Sequence, residues 1–329
     1  MINSQNIQDQ LINGILLNDR AILSRAITYA ESTLEEHQLI IGKVLENIST
    51  KTGNSIRIAI SGIPGVGKST FIEKIGLKYI ARGKKVAVLA IDPSSSISKG
   101  SILGDKTRME ELAIQENAFI RPTSAGKTLG GVAKNTYETI LLCEASGYDV
   151  IIIETVGVGQ SEFIVKDVTD LFVLLQVPNT GDELQGIKRG IMECIDFVFI
   201  NKVEENNKHL AKQLKVNLIK ALQFLPIKSN NWKAKVFLGS ALNDIGIEEF
   251  LNEIDDFFTY LTNNKLLDEI RQKQTEKHTK DYFLENLLSK LSNSPFYIEL
   301  EKEITAKVKE NKPIPYSTIN ELINKIIGK

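Results

Sequence analysis

Residues Ile58 to Ser69 read Ile-Ala-Ile-Ser-Gly-Ile-Pro-Gly-Val-Gly-Lys-Ser. A short apolar run ends in Gly-x-x-x-x-Gly-Lys-Ser and passes directly into a helix-compatible segment, Thr70 to Ala81. No other stretch limits the fold as strongly, because this pattern works only as strand, glycine-rich turn and helix start in immediate succession. Gly62, Gly65 and Gly67 let the backbone wrap closely enough for successive N–H groups to point at one phosphate. The positive end of the following helix adds its field at the same point. Lys68 supplies a mobile cation for β and γ oxygens, and the Ser69 hydroxyl can ligate Mg²⁺. The expectation is a nucleotide-binding protein.

Around this stretch, short apolar runs alternate with helical patterns from Ile56 to about Tyr260. The runs are Ile56–Ile60, Val86–Ile91, Asp149–Ile153, Leu171–Gln176, Phe197–Ile200 and Val236–Leu238. Most are continuous rather than alternating, as parallel strands buried on both faces require. Helices fit between them at Ser69–Ala81, Gly131–Ala145, Gly186–Cys194, Glu205–Phe224 and Ile247–Leu261. The fold class is therefore α/β, a P-loop NTPase with a doubly wound, mainly parallel sheet that binds ligands at the carboxyl ends of its strands. Residues 5 to 50 carry apolar stripes at three- and four-residue spacings, with Asn18-Asp19 separating the first two and a capping box, Ser32-Thr33-Leu34-Glu35, ahead of the third. After Leu261 the pattern is helical only, with Pro313 and Pro315 between the last two helices. Three parts are expected: an N-terminal helical extension over 1–54, a P-loop nucleotide-binding core over 55–262, and a C-terminal helical arm over 263–329. An apolar stripe on that arm either packs on its own domain or pairs with a second subunit.

Composition excludes several classes. The 329 residues carry a formal charge of −1, so no global basic field attracts nucleic acid or an anionic membrane. No apolar run approaches membrane-spanning length, and the first residues carry no secretion or transit pattern. Cys143 and Cys194 match no metal-ligand spacing and read as reduced thiols. A cytoplasmic location is expected.

Further candidate residues lie on strand ends. Glu154-Thr155-Val156-Gly157 closes the run Asp149–Ile153. A carboxylate there holds Mg²⁺ or its water, and the Gly157 N–H can meet a γ-phosphate. Asp92 follows the run Val86–Ile91, and Asp105 lies in a glycine- and hydroxyl-rich stretch suited to a loop over phosphates; both are candidate metal-side carboxylates. Arg121 to Gly126 and Thr128 to Val132 read as a further glycine-rich loop opening a helix. Pro178 to Lys188 is too long and polar for a minimal connection and reads as a moving switch. Asn201-Lys202-Val203-Glu204 resembles the Asn-Lys-x-Asp motif that reads guanine. A carboxylate at that position accepts both guanine N1–H and N2–H, which adenine cannot offer together. Glu204 keeps the charge and adds a methylene. Gly239-Ser240-Ala241-Leu242 resembles the loop whose backbone N–H meets guanine O6.

These strings together resemble one family, the MeaB/ArgK-type GTPases associated with methylmalonyl-CoA mutase. The stretches that carry the likeness are Asp92-Pro93-Ser94-Ser95, Gly100 to Met109, Thr128 to Ala133, Glu154 to Glu162, and Gly181 to Lys188. The resemblance implies a homodimeric GTPase chaperone for an adenosylcobalamin-dependent acyl-CoA mutase, using GTP to gate cobalamin loading and to protect or rescue the mutase. It places Gly62, Ile63, Pro64, Gly65, Val66, Gly67, Lys68, Ser69 and Thr70 on the phosphates of GTP or GDP. Ser69, Asp105 and Glu154 would lie around Mg²⁺ with Asp92 close by. Asn201, Lys202, Glu204, Ser240, Ala241 and Leu242 would bind the base. The loop carrying Asp182, Glu183, Gln185 and Lys188 looks like the switch that couples nucleotide state to the mutase.

Phosphoryl-transfer logic then assigns Lys68 to charge stabilisation, Gln160 to orienting water, and Lys188 to an internal cation. Hydrolysis is expected to be slow alone and faster with the mutase bound. Three competing readings remain. A kinase would transfer phosphate to an acceptor. A nickel-insertion GTPase would need a Cys- or His-rich site that His37, His209 and His278 do not form. A structural adaptor would bind GTP without hydrolysing it.

Overall fold

The computed structural model describes residues 4–92, 109–124, 129–155, 165–178, 189–226, 228, 230–309, 319–320 and 323–324. Seven strands form one parallel sheet: β1 Ile56–Gly62, β2 Val86–Asp92, β3 Ala118–Ser124, β4 Val150–Thr155, β5 Leu171–Gln176, β6 Phe197–Ile200 and β7 Lys235–Leu238. Their order is β3-β2-β4-β1-β5-β6-β7. β4, β5 and β6 are buried at every position, which explains why their sequences read as unbroken apolar runs. Alternation persists inside those runs. Ala59, Ile151, Ile153, Phe172, Leu174, Val198 and Ile200 face one core. Ile58, Ile60, Ile152, Val173, Leu175, Phe197 and Phe199 face the other.

The first core is closed by α1 Ser4–Leu16, α2 Arg20–Ala30, α3 Glu35–Ile48 and α6 Leu129–Ala145. The second is closed by α4 Lys68–Ala81, the short α5 Glu110–Ala113, and α9 Ile247–Asn263. Two more helices, α7 Arg189–Cys194 and α8 Lys208–Gln223, complete the layers. Asp19 breaks α1 from α2 by capping the latter: its carboxylate accepts the Ala21 and Ile22 N–H groups at 2.8 and 3.1 Å.

Two local expectations change. Ser32 does not form a capping box with Glu35, since the N-cap of α3 is Leu34. Its hydroxyl accepts the Leu34 N–H at 3.2 Å and lies 2.8 Å from His37 Nδ1, whose ring packs on Tyr29. The run Arg121 to Ser124 is strand rather than loop. Pro122 is tolerated because β3 is the sheet edge, where a missing N–H breaks no ladder. Arg121 then ties that edge to α2, donating to the Ser24 carbonyl at 3.0 Å and to Glu31 at 2.8 Å.

At the amino-terminal rim of the sheet, buried charges are paired. Arg57 grips Glu144 through two bonds of 2.8 and 3.0 Å, and Glu144 also accepts from Ser55 Oγ and Gly53 N. Burial pushes the Glu144 carboxyl up, but the Arg57 charge and these donors outweigh it and hold it below its ordinary value. The chain divides into two compact units, Met1–Thr275 and Glu276–Lys329. Helix α10 Leu266–Ser292 supplies the start of the second, which also holds α11 Pro295–Lys309. Among the described residues no helix is long and apolar enough to cross a membrane. Cys143 is buried and Cys194 half-buried, both free thiols.

Candidate functional site

The site is built where β1, β4, β5 and β6 end. The register pairs Ile60 of β1 with Glu154 of β4, and Gly62 with Leu175 of β5, so the turn after β1 emerges beside both carboxyl ends. That turn enters α4 through Gly67 at φ 93°, a left-handed conformation that an L side chain resists. A Cβ there would also lie 2.7 Å from Asn201 Nδ2. A Cβ at Gly62 would approach the Leu175 carbonyl to 2.8 Å, so the Leu175 backbone fixes one glycine of the loop and the Asn201 side chain the other. Within it, Lys68 Nζ donates to the Gly62 carbonyl at 2.8 Å and to Ile63 at 3.3 Å. The ammonium thus sits inside the turn, at the start of α4, where the helix field also favours an anion.

The Asn201–Glu204 stretch is locked to this loop. Asn201, 2% exposed, donates from Nδ2 to the Val66 carbonyl at 2.9 Å and accepts the Ala241 N–H on Oδ1 at 2.9 Å. Lys202, at φ 58°, donates to the Gly65 carbonyl at 2.7 Å. One turn of chain therefore joins the phosphate loop to the Ser240–Leu242 loop. The second loop is itself closed by a pair of 3.0 Å backbone bonds between Ser240 and Ile245. Ser240 and Ala241 are buried, whereas Leu242 is 74% exposed. Glu204 is exposed at the mouth of this arrangement.

Asn207 was not singled out from the sequence, yet it shapes the Lys202–Glu204 loop. Its Oδ1 accepts the Glu204 N–H at 2.8 Å and its Nδ2 donates to the Lys202 carbonyl at 2.9 Å. An Asn just before a helical pattern usually signals an N-cap. Here it occupies that position ahead of α8 but turns its side chain back onto the loop, making no cap bond.

At the start of α4, Ser69 Oγ lies 3.4 Å from Glu154 Oε1, and Glu154 is 8% exposed. A hydroxyl and a carboxylate side by side are hard oxygen donors of the kind Mg²⁺ takes, with water completing its shell. Thr155, the next residue, is buried and donates to the Ile60 carbonyl at 3.4 Å, fixing the end of β4 against β1. Asp92 ends β2, the neighbour of β4, and its side chain lies outside the described residues. Asp105, Gly157, Gln160, Asp182, Glu183, Gln185 and Lys188 also lie outside them. The structure brings together Gly62 to Thr70, Glu154, Asn201, Lys202 and Ser240 to Leu242.

A family model described as methylmalonyl Co-A mutase-associated GTPase MeaB matches residues 23–295. The chain is 40% identical over 322 residues to the GTPase ArgK of Escherichia coli, covering 98% of this chain and 97% of that one. It is 43% identical over 301 residues to the mouse methylmalonic aciduria type A homolog, a mitochondrial protein, covering 88% and 72% of the two chains. A crystal structure described as a LAO/AO transport system kinase superposes with a TM-score of 0.77 at 35% identity, covering 99% of each chain.

Proposed function

The chain belongs to the MeaB family of methylmalonyl Co-A mutase-associated GTPases, and on that premise we propose that it is a GTP-hydrolysing chaperone of an adenosylcobalamin-dependent acyl-CoA mutase. In this reading it gates cobalamin loading and protects or reactivates the mutase, working as a cytoplasmic homodimer through its 263–329 arm. The 55–262 core carries the chemistry, and the 1–54 helices brace it. The observation that supports the reading is the Asn201 amide, which ties the phosphate loop to the Ser240–Leu242 loop and so would couple recognition of base and phosphate.

Gly62 to Thr70 would cradle the triphosphate, their N–H groups and Lys68 stabilising charge as it spreads onto the leaving phosphate. Ser69 and Glu154, with Asp92 and Asp105, would hold Mg²⁺, which when bound neutralises phosphate charge. Gly157 would meet the γ-phosphate, and Gln160 would orient the attacking water. Lys188, with Asp182, Glu183 and Gln185 on the same loop, would bring a second cation when the mutase binds, so hydrolysis is slow alone and faster in the complex. Glu204 would reject adenine, because adenine presents neither an N1–H nor an N2–H to its carboxylate.

Two measurements test this. Competition between nucleotides should show GTP bound well ahead of ATP; equal affinities remove the guanine assignment. Lys188→Ala should leave basal hydrolysis in place and abolish the increase produced by the mutase; unchanged stimulation removes that role. The kinase named in the matched crystal structure supplies the rival reading. Labelled γ-phosphate released as inorganic phosphate supports the GTPase, and label carried to an acceptor supports the kinase.

A further inference from the structure

Away from the nucleotide loops, one face of α8 and the chain after it combines charge with exposed apolar surface. Residues 206–235 contain seven lysines and no acidic residue, in a protein whose formal charge is −1. Three of the seven are committed within the fold. Lys208 pairs with Glu205, Lys228 with the buried Asp196 at 2.5 Å, and Lys235 with Glu253. Lys212, Lys215, Lys220 and Lys233 have no ion-pair partner among the described residues. Lys212, Lys215, Val216, Ile219, Lys220 and Gln223 fall within one side of α8 at helical spacing. Val216 is 50% exposed, Ile219 38%, and Phe224, one residue past the helix, 89%.

This face runs into a pocket of about 400 Å³ whose apolar lining includes Met192, Ile195, Leu222, Leu225, Trp232 and Ala234. Among the described residues Glu193 is the single acid lining it, against Lys228 and Lys233. Trp232 keeps a buried indole N–H with no acceptor among the described residues. Ile195 precedes β6 and Ala234 precedes β7, so the pocket opens at the amino-terminal rim of the sheet. The phosphate loop leaves from the opposite, carboxyl-terminal ends.

We propose that this face is a docking surface for an acidic segment of the partner mutase, an apolar side chain of which enters the pocket while its carboxylates meet Lys212, Lys215, Lys220 and Lys233. The partner's identity rests on the function proposed above. Charge complementarity selects an acidic protein segment, and the concave pocket takes an inserted side chain, whereas a bilayer would be met by a convex apolar face. Because the surface lies at the far rim from the nucleotide, its contribution to binding is the same with GDP and with a GTP analogue. It therefore acts as a constant tether, and the nucleotide loops supply the variable contact.

The test measures binding of the full chain to the purified adenosylcobalamin-dependent mutase of the same cell, at 50 and 300 mM KCl, with GDP and with a non-hydrolysable GTP analogue. The charge-reversed variant Lys212→Glu/Lys215→Glu/Lys220→Glu should bind roughly 10-fold or more weakly at low salt and lose most of the salt dependence. Phe224→Ser should weaken binding about 10-fold while keeping that dependence. Both losses should be equal in the two nucleotide states, with basal GTP hydrolysis unchanged. If the wild-type chain binds the mutase and both variants bind it equally well, the docking surface is overturned and the mutase partnership stands. If the wild-type chain does not bind the mutase, both fall. If the triple variant loses binding only to phosphatidylserine–phosphatidylcholine vesicles and keeps its affinity for the mutase, the surface is a membrane contact and the proposal is overturned.

Discussion

Asn201 is a short side chain at the end of β6, and both ends of its amide are used: Nδ2 on the Val66 carbonyl, Oδ1 on the Ala241 N–H. Truncation to alanine leaves two backbone groups unpaired in a buried setting, each at a cost of about 1–3 kcal/mol. It also releases the phosphate loop from the Ser240–Leu242 loop. Asn201→Ala is therefore expected to weaken both GDP and GTP binding by about 10- to 100-fold, as read by titration with a fluorescent nucleotide, and to lower the melting temperature. A variant with wild-type affinity for both nucleotides would show that the tie is not functional. This residue was legible in the sequence because Asn-Lys-x-Glu follows an apolar run and fixes its own strand end. Asn207 was not legible. Its use of both amide ends on the Lys202–Glu204 loop depends on a chain reversal that no local pattern encodes.

At the level of elements, strands and helices with an unbroken pattern could be read from the sequence, and those with mixed signals could not. β5 and β6 occupy the bounds their apolar runs predict. β3 was hidden because Arg121-Pro122-Thr123-Ser124 has the letters of a loop, and only its edge position makes a proline harmless there. Helix α6 carries a further feature that periodicity cannot give. Glu138 is 7% exposed, and its Oε2 has no hydrogen-bond partner among the described residues. Burial pushes its carboxyl up to about 7, with Lys134, one turn earlier, opposing the shift. A carboxyl raised in the fold favours the folded state while protonated. Its contribution is full below the ordinary value of 4.5 and is lost as pH rises to about 7. Glu138→Gln is neutral at every pH and keeps the shape. It should be more stable than wild type at pH 8, by on the order of 1–3 kcal/mol, with the advantage gone near pH 4.5. Urea denaturation at a series of pH values checks this; a gap that does not change with pH would show that Glu138 is already ionised at no cost.

For the whole molecule, the nucleotide core and the C-terminal unit pose different problems. The core closes on itself, with two apolar layers covering both faces of the sheet. In the Glu276–Lys329 unit, the stripe Leu284, Leu287, Leu288 leaves each side chain more than half exposed, and Phe283 beside it is 64% exposed. An apolar stripe on a long helix is stable in water chiefly when another surface covers it, and a second copy of the same stripe offers a self-complementary one. The sequence alone left this open, because packing on the same chain and pairing between chains impose the same three- and four-residue spacing. A homodimer through the arm predicts a mass in light scattering of twice 36.7 kDa at micromolar concentration. Leu284→Ser/Leu288→Ser should shift that mass to one chain while single-turnover GTP hydrolysis stays as it was, since neither residue belongs to the phosphate or base loops. A wild-type chain that runs as a monomer across the same concentrations would refute the dimer. Dissociation accompanied by lost hydrolysis would mean that the nucleotide site depends on the partner copy, so that assembly and catalysis cannot be treated as separate properties of the two units.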